Sequence, residues 1–70
     1  MAKYKAQITE MDIEIIKKMA ANDMNVTQTA LGLNYHRNTV VYHLEKIERI
    51  TGHNPCSFYG LVELIRNLDR

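Results

Sequence analysis

The chain has 70 residues, a single cysteine and a formal net charge of +1 at neutral pH. This length suffices for one small domain, and one cysteine excludes an intramolecular disulfide that would reinforce its core. The sequence shows no secretory signal and no apolar stretch long enough to cross a bilayer, so we expect a cytoplasmic protein without membrane contact. The hydrophobic share of 46% is typical of a globular domain and not of a disordered chain.

Apolar residues recur at helical spacing along four segments, and no segment shows the alternation of a β-strand. The single proline is Pro55. The sequence therefore predicts an all-α fold, a small domain of four helices. We expect residues 1–70 to form one domain and residues 1–7 to form a flexible tail.

The first predicted helix begins after Thr9, which forms a capping box with Asp12. Ile8 precedes the cap as a hydrophobic staple, and the acidic residues of the first turn complement the helix dipole. Asn22-Asp23 is a turn signal that ends the helix. The predicted apolar face consists of Met11, Ile15, Ile16 and Met19.

The second predicted helix is only about two turns long. We expect Thr27 to cap it and Leu33 to end it, with Ala30, Leu31 and Leu33 on its inner face. Asn34 then occupies a turn position that requires a positive φ, which asparagine tolerates better than most residues.

The third predicted helix runs from Arg37 to about Ile50, and Gly52 ends it. Asn54-Pro55 predicts the start of the fourth helix, because proline is favoured in a first turn. The third helix has an apolar stripe of Val40, Leu44, Ile47 and Ile50. The stripe of the fourth helix is Phe58, Leu61, Val62, Ile65 and Leu68.

A two-turn helix, a tight turn and a longer helix describe a helix-turn-helix, whose second helix enters the major groove of double-stranded DNA. There arginine pairs with guanine and asparagine with adenine, while hydroxyl and amide groups bind phosphate. The candidate DNA contacts are therefore outward positions in the first half of the third helix and polar residues of both helices that can reach the DNA backbone. They are Thr27, Gln28, His36, Arg37, Asn38, Thr39, Val41, Tyr42 and Lys46.

The run "NVTQTALGLNYHRNTVVYHLEKIERITG" resembles the C-terminal helix-turn-helix of the PucR family of bacterial transcription regulators, and more loosely the Fis-type helix-turn-helix. The resemblance implies sequence-specific DNA binding in transcription regulation, with contacts from Arg37, Asn38, Thr39 and Tyr42. The family often has arginine at the position of His43 and a basic residue at that of Val41. This chain therefore carries less positive charge on the expected DNA-binding face.

Other chemistry has weaker support in the sequence. His36, His43, His53 and Cys56 do not form the two close pairs that a zinc site usually shows, so we expect no metal. No base with a recognisable signature accompanies Cys56, and a chain this short has little room for a substrate cleft. We therefore expect no enzymatic activity, no cofactor and no small-molecule substrate.

The fourth helix has more apolar residues than one face can bury. Since helix-turn-helix proteins commonly read two half-sites as symmetric dimers, we expect a homodimer through this helix. Tyr59 and Leu64 lie off its main stripe and are expected to be exposed. The predicted interface is Tyr59, Leu61, Leu64, Ile65 and Leu68.

A second hypothesis assigns the chain to protein–protein interaction, as a degenerate helix-turn-helix that docks on a larger regulator through its apolar helices. The near-neutral charge favours this alternative, whereas the polar run "HRNT" favours DNA. A positive band along the third helix would support DNA binding, and a neutral apolar face would support a protein partner.

Overall fold

The computed structural model describes residues 7–68 and contains four helices: α1 (Glu10–Ala21), α2 (Val26–Leu33), α3 (Arg37–Thr51) and α4 (Phe58–Leu68). All regular secondary structure in this part of the chain is helical, which confirms the predicted all-α fold. Apart from Gln7, the predicted N-terminal tail lies outside the described residues.

The predicted start and end of α1 are confirmed. The Thr9 hydroxyl accepts a hydrogen bond from the Asp12 backbone, and the Asp12 carboxylate accepts one from the Thr9 backbone, which completes a capping box. Asn22 caps the C-terminus, and Asp23 and Met24 follow with φ angles of 54° and 65°. Two consecutive left-handed residues redirect the chain from α1 to α2 within a few positions.

The predicted cap of α2 was wrong by two residues. Asn25 caps this helix, since its side-chain oxygen accepts a hydrogen bond from the Gln28 amide at 3.0 Å. Thr27 lies exposed inside the first turn. Asparagine and threonine are both good caps, but only Asn25 has the extended backbone that a cap requires.

The inner face of α2 also differs from the prediction at one position. Ala30 is buried and Leu33 is half-buried, but Leu31 is 68% exposed. Thr29 is buried in its place, and its hydroxyl donates a hydrogen bond to the Met19 sulfur at 3.4 Å. A polar residue can enter the core here because its hydroxyl has a partner in α1.

The turn between α2 and α3 has the predicted backbone conformation. Asn34 adopts φ 60° and ψ 37°, in the left-handed helical region. The Tyr35 amide then donates to the Ala30 carbonyl at 2.9 Å, which satisfies a carbonyl at the end of α2. Gly52 ends α3 with φ 76°, as predicted.

The fourth helix begins at Phe58 and not at Asn54-Pro55 as predicted. Pro55 is buried in a turn, where the Asn54 side chain accepts a hydrogen bond from the Cys56 amide. The Ser57 hydroxyl then accepts from the Gly60 amide at 3.1 Å and caps the helix. These two local hydrogen bonds compete with a helix that begins at Pro55, and the helix therefore starts three residues later.

The core lies on α1, which contacts each of the other three helices, while α2 and α3 also pack on each other. The buried apolar residues are Ile8, Ile15, Ile16, Met19, Ala30, Val40, Leu44, Ile47, Leu61 and Leu64. Leu64 was expected to be exposed, but it is fully buried, because the face of α4 that meets α1 is centred on Leu61 and Leu64. The exposed apolar residues of α4 are Phe58, Tyr59 and Val62.

Gly60 allows the close approach of α4 to the preceding loop. A Cβ atom at this position would lie 2.0 Å from the Asn54 carbonyl oxygen and 2.7 Å from the Asn54 nitrogen. Both are backbone atoms, so the contact cannot be relieved by a side-chain rotation. A Cβ at Gly32 would instead meet only the flexible end of Lys18, with Cε at 2.8 Å.

We therefore expect Gly60→Ala to lower the free energy of unfolding by about 3 kcal/mol, as overpacking against a fixed backbone does. The matched variant Gly32→Ala should remain within about 1 kcal/mol of the native chain, since alanine favours a helix and Lys18 can move. Urea unfolding followed by circular dichroism measures both. Equal effects of the two substitutions would contradict the close approach at Gly60.

Candidate nucleic-acid interface

The structure exposes most of the residues that the sequence assigned to DNA contact. Those that are exposed are Thr27, Gln28, His36, Arg37, Asn38 and Tyr42, and those that are half-buried are Thr39, Val41 and Lys46. The exposed residues lie in the first turn of α2 and in the N-terminal half of α3.

The N-terminus of α3 follows directly from the turn. His36 caps the helix, and its Nδ1 atom accepts a hydrogen bond from the Asn38 amide at 3.3 Å. Arg37 and Asn38 occupy the first two helical positions and are exposed. The left-handed residue Asn34 thus ends α2 and allows α3 to present an arginine and an asparagine at its first turn.

The N-terminus of α2 lies beside this part of α3. Val26, the first residue of α2, lines a groove of about 290 Å³ together with Arg37 and Val41. Neither helix has an acidic residue in its first turn, whereas α1 has Glu10 and Asp12 there. The positive ends of two helix dipoles therefore lie near one another with no acidic residue in either first turn, which favours phosphate, although the Glu45 and Glu48 carboxylates line the same groove.

Charge along the rest of α3 is mixed. Arg49 is exposed near its C-terminus, but Glu45 and Glu48 are also exposed, and both line the groove beside Arg37. The exposed face of α3 therefore lacks the continuous positive band that would most directly favour DNA. Tyr42, 59% exposed, provides an aromatic ring in the middle of this face.

The sequence did not reveal that α3 is tied to α1 by a buried carboxylate. Asp12 is 0% exposed, yet its two oxygens contact two basic side chains of α3. The Lys46 ammonium lies 2.7 Å from one oxygen and the His43 Nδ1 atom lies 2.6 Å from the other. Lys46, a predicted DNA contact, is thus placed in an ion pair inside the domain.

The same carboxylate also accepts hydrogen bonds from the Thr9 amide and hydroxyl, at 2.9 Å and 3.0 Å. Burial alone would raise the pKa of Asp12, but the hydrogen bonds from Lys46, Thr9 and His43 outweigh it and hold the pKa below its ordinary value. An ionised carboxylate can only accept, so His43 donates through Nδ1–H. We name these four residues, Thr9, Asp12, His43 and Lys46, the Asp12 cluster.

Part of the signal for this cluster was present in the sequence. His43 and Lys46 lie three positions apart, which places them on one side of a helix. Their partner, however, lies 31 positions from His43, and the capping box already gave Asp12 a local role. Only the packing of α1 against α3 shows that one carboxylate serves both purposes.

The other ionisable side chains do not form an evident chemical site. Burial and the Glu48 carboxylate raise the pKa of the Cys56 thiol, the direction opposite to that of an activated nucleophile. Within residues 7–68, no three His, Cys, Asp or Glu side chains are grouped as metal ligands would be. None of the helices described in this range is long and apolar enough to cross a membrane.

A short α2, a left-handed turn and an exposed N-terminal half of α3 define the helix-turn-helix class of domains. The sequence profile of the PucR C-terminal helix-turn-helix domain matches residues 13–65, and the chain belongs to this family. The resemblance predicted from the sequence is thereby confirmed. Membership suggests DNA binding and transcription regulation, in a class of domains that is typically non-enzymatic. The chain matched no curated protein and no solved structure in the same comparisons.

The Asp12 cluster predicts a specific acid sensitivity. Because the folded-state pKa of Asp12 is lowered, its contribution to stability is present above the ordinary value of 3.8 and is lost as the pH falls through the folded-state value. We expect Asp12→Asn to lower the free energy of unfolding by about 3 kcal/mol at pH 7, as the loss of one partner of a buried ion pair does.

The measurement is urea unfolding of the native chain and of Asp12→Asn between pH 2 and pH 7. The difference between the two should shrink below about pH 4, where the Asp12 carboxylate becomes protonated. Glu10→Gln, which removes an exposed carboxylate from the same turn, serves as the control and should not show this convergence. A pH-independent difference for Asp12→Asn would refute the assignment.

Proposed function

We propose that this protein is a sequence-specific double-stranded DNA-binding protein that acts in bacterial transcription regulation in the cytoplasm. The proposed domain comprises residues 1–70, and α3 enters the major groove with its N-terminal half. The observation that carries this proposal is the exposed cluster His36, Arg37 and Asn38 at the start of α3, directly after the left-handed turn of a PucR-family helix-turn-helix.

Base reading is assigned to side chains on the first two turns of α3. The Arg37 guanidinium matches the two acceptors of guanine, and the Asn38 amide matches the donor and acceptor of adenine. Val41 and Tyr42 lie one helical turn further on, where Val41 offers an apolar contact for a thymine methyl group. Because Val41 is half-buried, only part of its side chain is accessible to DNA.

Phosphate binding is assigned to the helix N-termini and the polar groups near them. Thr27 and Gln28 are exposed in the first turn of α2, and Thr39 is half-buried in that of α3. Their hydroxyl and amide groups add to the backbone N–H groups of the two first turns, of which those of Gln28 and Asn38 already donate to the capping side chains. Few cations take part, so the affinity should depend only moderately on salt, because each phosphate neutralised by a Lys or Arg side chain adds about one unit to the log–log slope.

The proposed active form is a homodimer on two half-sites. Half-sites one DNA turn apart are separated by about 34 Å, slightly more than the 29 Å longest dimension of the domain, so two bound copies would lie side by side. An apolar groove of about 300 Å³ between the end of α1 and α4 is the proposed contact, with Phe58 and Val62 on its rim. Asp23 and Arg66 also line it, which permits reciprocal ion pairs across a two-fold axis.

This surface revises the interface expected from the sequence. Leu61 and Leu64 are core residues and cannot provide most of a dimer contact. Tyr59 is 83% exposed, and Ile65 and Leu68 are half-buried, so these three remain in the proposed interface. Phe58 and Val62 join them.

A second candidate function is docking on a larger protein. The exposed aromatic pair Phe58 and Tyr59, with ring centroids 5.5 Å apart, favours it, because adjacent exposed aromatic rings are typical of protein interfaces. The exposed carboxylates of Glu45 and Glu48 on α3 agree with it as well. The two candidates differ in which surface is essential, α3 for DNA and α4 for a protein.

Replacing Arg37 and Asn38 together by alanine should abolish base reading and leave most non-specific binding. From a pool of random duplexes, we expect the native chain to select a site that it prefers by at least about 10³-fold over random DNA. The double variant should lose most of this preference, since two bidentate contacts contribute about 1–3 kcal/mol each. Fluorescence anisotropy across a salt series measures both affinities.

Lys17→Ala provides a matched control, because it also removes one exposed positive charge but lies on α1 and lines neither proposed surface. Its preference for the selected site should follow that of the native chain when both are compared at concentrations that saturate any dimer. If the native chain shows no salt-dependent binding even at low ionic strength, DNA recognition by α3 is wrong and docking on a protein becomes the better account.

Replacing Phe58 and Tyr59 together by serine should dissociate the proposed dimer without unfolding the domain, since both side chains are more than half exposed. Sedimentation at micromolar concentration, with and without a duplex carrying two half-sites, measures the association. Leu31→Ser, which removes an exposed leucine from α2, is the control and should leave association unchanged. A native chain that stays monomeric under both conditions would contradict the homodimer.

A further inference from the structure

We propose that Asp12 is a positioning residue for DNA recognition, which holds α3 in its reading orientation through His43 and Lys46 and keeps Lys46 away from phosphate. This inference rests on the proposed function and assigns a role within it to a residue of α1. Asp12 itself is fully buried and cannot touch DNA.

The Asp12 carboxylate holds α3 at two points. His43 and Lys46 lie three residues apart on α3, and each contacts a different oxygen of the same carboxylate, at 2.6 Å and 2.7 Å. Two attachments to a rigid planar group restrain both the rotation of α3 about its axis and its shift along that axis. Thr9 holds the carboxylate in turn, through its amide and hydroxyl.

This restraint matters because base reading tolerates little displacement. A binding constellation must be held within about 0.5 Å and 10–20° of its productive geometry. Tyr42 adjoins His43 in sequence, and Asn38 lies about one helical turn before Tyr42. A rotation of α3 that breaks the contact to Asp12 therefore moves the reading side chains by a similar angle.

The ion pair with Asp12 also keeps the positive charge of Lys46 out of the proposed interface. Lys46 lies one helical turn after the exposed Tyr42, at the edge of the face that is proposed to meet DNA. Its ammonium is nevertheless paired with Asp12, and its side chain is only 19% exposed. In the native protein Lys46 therefore serves as an internal counterion. Removal of the carboxylate would release a mobile cation at the edge of the interface.

A merely structural role for Asp12 makes a different prediction. If the cluster only stabilised the fold, its loss would lower specific and non-specific affinity in the same proportion, through the unfolded fraction. A positioning role lowers the preference for the selected sequence and, through the released Lys46, raises the number of phosphate contacts. Only a positioning role lowers the preference for the selected sequence and at the same time makes the binding of random DNA depend more steeply on salt.

The experiment compares the native chain with Asp12→Asn, which keeps the shape of the side chain and an oxygen that can accept from Thr9. Glu10→Gln is the matched control, because it makes the same change in net charge in the same turn of α1 at an exposed position. Binding to the selected duplex and to random duplex is measured across a salt series below the unfolding temperature of each variant.

For Asp12→Asn we expect the preference for the selected duplex to fall by about tenfold, comparable to one mismatched base pair. The salt slope on random DNA should become steeper by about one unit as Lys46 gains a phosphate contact. Glu10→Gln should keep the native preference and slope. Equal behaviour of the two variants would overturn the positioning role while native DNA binding still stood.

Lys46→Met provides a second test that does not depend on the folding of Asp12→Asn. If Lys46 is an internal counterion, its loss leaves the salt slope unchanged and lowers the preference for the selected duplex. A slope shallower by about one unit would show that Lys46 touches phosphate in the native complex and would overturn the inference. Absence of any DNA binding by the native chain would instead overturn the proposed function and this inference together.

Discussion

The buried carboxylate of Asp12 is the constraint around which this small domain is organised. A buried charge is strongly unfavourable unless it is paired and hydrogen-bonded, and here an ammonium, an imidazole, a hydroxyl and an amide surround it. Two of these groups belong to α3 and two to the residue that caps α1. The same side chain therefore begins one helix and fixes the orientation of another.

The apolar core and the turn act together with this contact. Ile15, Ile16 and Met19 of α1 are fully buried against the other helices, which sets the distance between them but resists sliding only weakly. The left-handed residue Asn34 fixes the direction in which the chain leaves α2. The Asp12 cluster adds the directional contact that apolar packing lacks. The Asp12 cluster thus restrains the rotation of α3, the apolar core sets its distance from α1, and Asn34 sets the angle at which it follows α2.

The charge distribution follows from the same arrangement. The chain has nearly equal numbers of acidic and basic residues. One of the cations expected at the interface, Lys46, forms an ion pair with Asp12 inside the domain. Positive potential on the candidate interface then depends on Arg37 and on two helix N-termini without acidic residues. Affinity in such an interface comes from a few well-placed contacts, and specificity depends correspondingly strongly on how α3 is held.

Features with a local cause could be predicted from the sequence. The capping box at Thr9 and Asp12, the left-handed Asn34 and the terminating Gly52 each depend on a few neighbouring residues, and all three were confirmed. The family resemblance covered the same local pattern. Features that depend on tertiary contact were missed or wrong, as at Leu31, which periodicity placed inside, and Leu64, which periodicity placed outside.

In the candidate site, too, the local features could be predicted from the sequence and the tertiary contacts could not. The exposed cluster at the start of α3 follows from the position of the turn, which the sequence contains. The pairing of Asp12 with His43 and Lys46 joins residues more than 30 positions apart, and no local pattern specifies it. The helix α4 begins later than predicted because the Asn54 hydrogen bond forms a turn and the Ser57 hydroxyl caps the helix. Together these contacts outweigh the preference of proline for the first turn of a helix.

The most direct test of the central claim, that α3 meets DNA with its N-terminal half, is amide NMR of the intact chain titrated with its selected duplex. Our account predicts that the largest shifts occur at Thr27 and Gln28 and at residues 36–42, with smaller changes along the rest of α3. It also predicts that the amides of the core residues of α1 change little. Shifts confined to Phe58, Tyr59 and Val62, with α3 unaffected, would contradict DNA recognition by this helix.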